Sequence, residues 1–121
     1  LIGTDVDPDA LAAARANLAA AGVPAALDLG DARSVTRGPV DLIITNPPLG
    51  SRVQLDAAAL LAAALPNLVR ALAAQGSLIW ISPAPRRTSP VLAQLGLVCR
   101  RAFAVDLGGV RGQLERWDRR S

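Results

Sequence analysis

The segment that most constrains this chain is Asp41-Leu42-Ile43-Ile44-Thr45, which runs directly into Asn46-Pro47-Pro48. A continuous apolar run of this length, without polar alternation, reads as a strand buried on both faces. Such strands belong to parallel sheets covered by helices. The run has to stop at the two prolines, because neither has an N–H to donate to a ladder. The chain must therefore hold a buried strand whose carboxyl end is released abruptly at an asparagine.

The flanking sequence alternates in the way that strand requires. Leu1–Thr4 reads as a short strand ending at Asp5. Asp7 is a good N-cap with Pro8 at the first helical position, Leu11, Ala14, Leu18 and Ala21 recur at helical spacing, and Gly22 closes the helix. Ala25–Leu29 is a second strand, followed by Gly30-Asp31-Ala32. Asp56 can cap a helix whose Leu61, Leu65, Leu68 and Leu72 keep one apolar face across Pro66, predicting one kinked helix in a segment that Gly76 ends. Ser77–Ser82 reads as a buried strand and Pro90–Gly96 as a short helix. Leu97–Asp106 and Val110–Trp117 form a hairpin that turns at Gly108-Gly109. The pattern predicts an α/β domain. Its mostly parallel sheet would hold Leu1–Thr4, Ala25–Leu29, Asp41–Thr45 and Ser77–Ser82 together, ending in a C-terminal β-hairpin.

The 121 residues allow one domain, with no internal boundary. The chain lacks Met and opens on a strand with nothing before it to pair with, so residues 1–121 read as the C-terminal part of a single domain, with an exposed edge at Leu1–Thr4. The longest apolar run, Ala57 to Leu65, stops at Pro66 and falls short of the roughly 20 residues a membrane helix needs. No signal peptide is expected, and a cytoplasmic location is expected with it. The lone Cys99 lies in a strand-like run and reads as a buried, inert thiol. With no His and one Cys, no metal site is expected.

All thirteen cations are arginine. They gather toward the C-terminus, where Arg86 opens a stretch in which arginines outnumber acids. The planar guanidinium fork suits phosphates and base edges, although the same Lys-free composition follows from GC-rich coding.

In a parallel sheet, ligands bind beyond the carboxyl ends of the strands. Asp5 stands at the first such end, where a carboxylate accepts both protons of a ribose diol; the alternative is a helix-capping role. Asp31 stands at the second, where it can accept from an adenine amino group or serve as a turn residue. Asn46 stands at the third. Its side-chain carbonyl, beside a proline carbonyl with no ladder partner, gives two acceptors converging on one point. That suits an amino group conjugated to a ring or amide, whose delocalised lone pair makes it a poor nucleophile until both protons are held.

Asp5-Val6-Asp7, Gly30-Asp31-Ala32-Arg33 and the run from Asp41 through Asn46-Pro47-Pro48-Leu49-Gly50-Ser51-Arg52 resemble the amino-group methyltransferases. They are most similar to the THUMP-associated RNA guanine-N2 methyltransferases. The resemblance implies a Rossmann-like class I methyltransferase sheet lacking its first strand and glycine loop, and S-adenosylmethionine as methyl donor. It implies Asp5, Asp31, Ala32 and Asn46 at the cofactor, Asn46, Pro47, Pro48 and Leu49 at the target amine, and an RNA partner, transfer or ribosomal. Leu49 departs from the aromatic residue often found at the fourth motif position. Arg52, Arg86, Arg87 and Arg111, all near strand ends, are expected to meet RNA phosphates. Methylation of a protein glutamine, methylation of DNA adenine and a non-catalytic nucleotide-binding module are the alternatives.

Overall fold

The computed structural model describes residues 1–34, 37–47 and 57–120. The chain forms two compact units, Leu1–Val35 and Thr36–Ser121.

In the first unit, β1 (Ile2–Asp5) and β2 (Ala26–Leu29) pair in parallel, joined by α1 (Pro8–Ala20). The start of α1 follows from Asp7, whose extended backbone and side-chain carboxylate, accepting from Asp9 N–H at 2.9 Å, satisfy one of the unpaired amides of the first turn. Its end follows from Gly22. With φ of 69°, this residue turns the chain so that Gly22 N–H donates to Ala19 and Val23 N–H to Leu18, at 3.1 and 2.9 Å. This is the paired bonding of a Schellman motif.

The second unit holds β3 (Val40–Thr45), α2 (Ala57–Ala71), β4 (Leu72–Ser82), α3 (Pro85–Gln94), β5 (Leu97–Asp106) and β6 (Arg111–Arg119). Its sheet runs β3-β4-β6-β5, with β3 parallel to β4 and β6 antiparallel to both of its neighbours. The core packs Leu61, Leu65 and Val69 of α2 and Leu92 of α3 against Leu78, Trp80, Leu97 and Trp117 of the sheet. Leu65, Leu78 and Leu92 are fully buried. The hairpin turns at Gly108 and Gly109, with φ of 69° and 93°, and Leu107 N–H donates to Val110 across it. Positive φ at both central residues matches the twist of the flanking strands.

Five expectations are corrected. The four parallel strands do not form one ladder. Among the described residues they pair as β1 with β2 in the first unit and β3 with β4 in the second. Helix α2 passes through Pro66 as expected but ends at Ala71, and Leu72 already belongs to β4, opposite Val40. The apolar stripe continues through this change because Leu72 remains buried in its new setting. Helix α3 starts at Pro85, five residues before the expected Pro90, which lies inside it. Both prolines have the φ angle that a first helical turn requires, and the earlier one holds that position. Strand β3 is not buried on both faces: Ile43 packs on the core, while Leu42 and Ile44 alternate to the opposite face and are 49% and 72% exposed. Cys99 is exposed, beside an irregularity in the β5–β6 register. Partial desolvation and the nearby Glu115 carboxylate push its pKa up, keeping it a neutral thiol.

No helix among the described residues is long and apolar enough to cross a membrane. No cluster of metal-ligating side chains occurs among them either.

Candidate functional site

In the first unit the parallel pairing sets two acidic residues at neighbouring strand ends. Asp5 closes β1 opposite Leu29, and Gly30 N–H donates to the Asp5 carbonyl at 3.0 Å, which brings Asp31 to the same end of the pair. One carboxylate oxygen of Asp5 accepts from Asp7 N–H at 2.9 Å. Asp7 thus caps the helix, while Asp5, an exposed residue, is oriented by the backbone just ahead of that cap. Asp31 is more fully engaged. Arg33 donates to it from the backbone and, through its guanidinium, to both carboxylate oxygens. Those bonds hold the Asp31 carboxyl at a pKa lowered to about 2. Ala32 lies in the turn between them.

These donors and acceptors fit the adenosyl part of a nucleoside cofactor. An exposed carboxylate at one strand end suits a diol, and a persistently anionic acceptor at the next suits an exocyclic amine.

In the second unit, β3, β4 and β5 run in the same direction, so their carboxyl ends share one edge of the sheet. Asn46 and Pro47 follow β3 at that edge. Asn46 is exposed and its side chain has no hydrogen-bond partner among the described residues. Arg86 and Arg87 stand in the first turn of α3, and Arg111 opens β6 next to the Gly108-Gly109 turn. All three are exposed, and none has a side-chain hydrogen bond or ion pair among the described residues. The acids that might have neutralised them are occupied elsewhere. Asp106 accepts from Gly109 N–H, Glu115 from two tryptophans and Asp118 from Arg116. Pro48, Leu49, Arg52 and Asp56 lie outside the described residues.

One group escaped the sequence reading. Glu115 is buried among Trp80, Trp117 and Gln113 and accepts hydrogen bonds from all three. Its only sequence signal is that it alternates in phase with Gln113 and Trp117 along β6.

A family model for the RMKL-like methyltransferase domain matches residues 1–113. The chain belongs to that family. Its sheet, with parallel strands followed by an antiparallel hairpin, is that of the class I S-adenosylmethionine-dependent methyltransferases. The chain is 48% identical over 60 residues to the ribosomal RNA large subunit methyltransferase K/L of Chromohalobacter salexigens, covering 44% of this chain and 8% of that protein. Among solved structures it resembles TrmN from Thermus thermophilus, with a TM-score of 0.82, 26% identity and coverage of 98% of this chain and 36% of TrmN. It also resembles a magnesium protoporphyrin IX methyltransferase from Synechocystis solved with bound S-adenosylmethionine, with a TM-score of 0.74 and 15% identity over 98% of this chain and 58% of that one. The chain thus spans about a third of TrmN and under a tenth of the curated RMKL-type relative.

Proposed function

We propose that this RMKL-like domain, acting in the cytoplasm as part of a longer protein, methylates the exocyclic N2 amine of guanine in ribosomal or transfer RNA. The observation that carries the proposal is the joint position, on one sheet edge, of Asn46 followed by Pro47 and of three arginines, all without a side-chain partner among the described residues. The ribosomal RNA relative, named for its substrate, supports the same class of acceptor.

Asp5 would hold the ribose diol of S-adenosylmethionine, and Asp31 with Ala32 would flank its adenine. When bound, this cofactor supplies an electrophilic methyl group. The chain's own contribution is positional. The Asn46 side-chain carbonyl accepts one proton of the target amine and the Pro47 carbonyl the other. This draws the nitrogen out of conjugation and aims its lone pair, and the proton it sheds passes to water. No residue with a pKa near neutrality is needed, and the chain contains no His to supply one. Arg86, Arg87 and Arg111 would hold the phosphates on either side of the extruded base.

The test uses the protein expressed from its complete reading frame, with tritiated S-adenosylmethionine and unmodified large-subunit ribosomal RNA, transfer RNA and a glutamine-bearing protein as competing acceptors. N2-methylguanosine in the nuclease digest is the expected product. Label confined to protein glutamine would replace this reading with methylation of a protein amide.

A further inference from the structure

A cavity of about 300 Å³ opens between the first turns of α2 and α3. Both helices follow strands that run toward the Asn46 edge, so their N-terminal turns, and the cavity between them, lie at that edge. Ala59, Ala62 and Leu65 form one wall, and Ala84 and Val91 form the other. Beneath them the polar groups are already paired: Thr88 and Ser82 share a 2.6 Å hydrogen bond, and Thr88 Oγ1 also donates to the Ala84 carbonyl. The side chains of the lining are therefore apolar or already paired, with no buried side-chain donor or acceptor left unsatisfied among the described residues.

The one charged group on the lining is Arg87, exposed and without an ion-pair partner among the described residues. Arg86 stands beside it. A site with methyl-lined walls and a cationic lip suits a ligand that is flat and apolar on one side and anionic on the other. A nucleobase with its own phosphate has that character, and the volume lies at the small end of the range for single-ring and two-ring ligands.

We propose that this cavity seats a nucleobase neighbouring the methylated one, with Arg87 gripping the phosphate that joins them. The inference rests on the RNA reading above and deepens it by assigning a second base-binding position, one that contacts no reacting atom. Methyl groups make apolar contact with the face of any base, so the position sets affinity and strand direction more than sequence.

Two substitutions in the full-length protein test it, with large-subunit ribosomal RNA transcribed in vitro as probe. Ala62→Trp fills the cavity from an exposed helical position, and Arg87→Gln removes the cation without changing the walls. Each is expected to raise KM for the RNA roughly tenfold, the scale of one lost buried apolar contact or one lost charge-assisted hydrogen bond, with kcat nearly unchanged. Arg120→Gln, past the end of β6 and therefore at the opposite edge of the sheet, serves as the control. A 4-thiouridine placed next to the target guanine is expected to cross-link to peptides containing Ala59–Leu65 or Arg87–Val91 in the parent and not in Ala62→Trp.

RNA methylation with unchanged KM in Ala62→Trp and no such cross-link would overturn this inference and leave the RNA reading standing. Absence of RNA methylation in the parent protein, with label in a protein amide, would overturn both.

Discussion

The Trp80 indole N–H donates to Glu115 Oε2 at 2.9 Å across the β4–β6 ladder, where the two residues are direct partners. Trp117 donates to the same oxygen at 2.6 Å, and Gln113 reaches the other at 3.2 Å. Glu115 is 1% exposed. A carboxyl group this deep is tolerated because each oxygen has a donor, and the two indoles are tolerated because they share an acceptor.

Glu115→Ala would strand two buried indole donors and leave a void between them. Each unpaired donor costs about 1–3 kcal/mol, so a loss of about 2–6 kcal/mol is expected. Urea denaturation of the full-length protein, followed by tryptophan fluorescence, reads it directly. Trp80→Phe and Trp117→Phe should each cost less, and a double-mutant cycle with Glu115→Ala should show coupling well above experimental error. Additive losses would mean that the indoles are satisfied in another way.

The ion pair of Asp31 with Arg33 makes a separate prediction about pH. The folded carboxyl titrates at about 2, below its ordinary 3.8, chiefly because the Arg33 side chain donates to it. A depressed folded pKa means that this pair favours the folded form above pH 4 and loses that contribution as pH falls toward 2. Carboxyl-detected NMR should place the Asp31 midpoint near the bottom of that window. Arg33→Gln should return it most of the way to the ordinary value. A midpoint already ordinary in the parent protein would show that the exposed pair is too loosely held in water to matter.

Some of this architecture can be read directly from the chain, because its signals are local. Asp7-Pro8 and Gly22 mark both ends of α1, and Gly108-Gly109 marks the hairpin, each through backbone angles that few other residues adopt. Other features depend on competition between distant groups. Pro85 and Pro90 are equally good helix starts by sequence, and the choice falls to the longer helix, which buries Thr88 as well as Leu92. Leu72 fits a helical stripe and a strand alike, and its pairing with Val40 settles it. Glu115 reads as a solvent-facing charge until Trp80, 35 residues away, is brought opposite it. The positions of Asp5, Asp31 and Asn46 at or just past strand ends are legible because strand ends can be located. The engagement of Asp31 by Arg33 is not, since Arg33 is also well placed simply to face water.

Asn46 and Asp5 are assigned different tasks, so their losses should separate in kinetics. Asn46→Ala in the full-length protein is expected to lower kcat by roughly 10²–10³-fold, the scale for one preorganised polar partner at a reacting centre. Binding of S-adenosylmethionine, measured by titration calorimetry, should hardly change. Asp5→Ala should weaken that binding while leaving kcat at saturating cofactor much closer to the parent value. Loss of cofactor binding in Asn46→Ala would reverse the two assignments.

The arginine edge predicts a salt dependence that no effect on folding would reproduce. Arg86, Arg87 and Arg111 lie far apart in sequence yet stand at the carboxyl ends of β4 and β5 and the start of β6, and each is exposed. If they neutralise RNA phosphates, each releases condensed counterions on binding, and the logarithm of affinity falls linearly with the logarithm of salt concentration. For single-stranded RNA the slope is about −0.7 per phosphate neutralised, so replacing all three with Gln should make it shallower by roughly 2. Filter binding of ribosomal RNA to the full-length protein between low and physiological salt measures that slope. Affinity should drop most at low salt and converge toward the parent at high salt, because the lost contribution is the one that salt itself removes. Arg120→Gln, at the opposite edge of the sheet, should leave the slope unchanged. Equal slopes for the triple variant and this control would move the RNA path away from the Asn46 edge and strip the RNA reading of its main physical support.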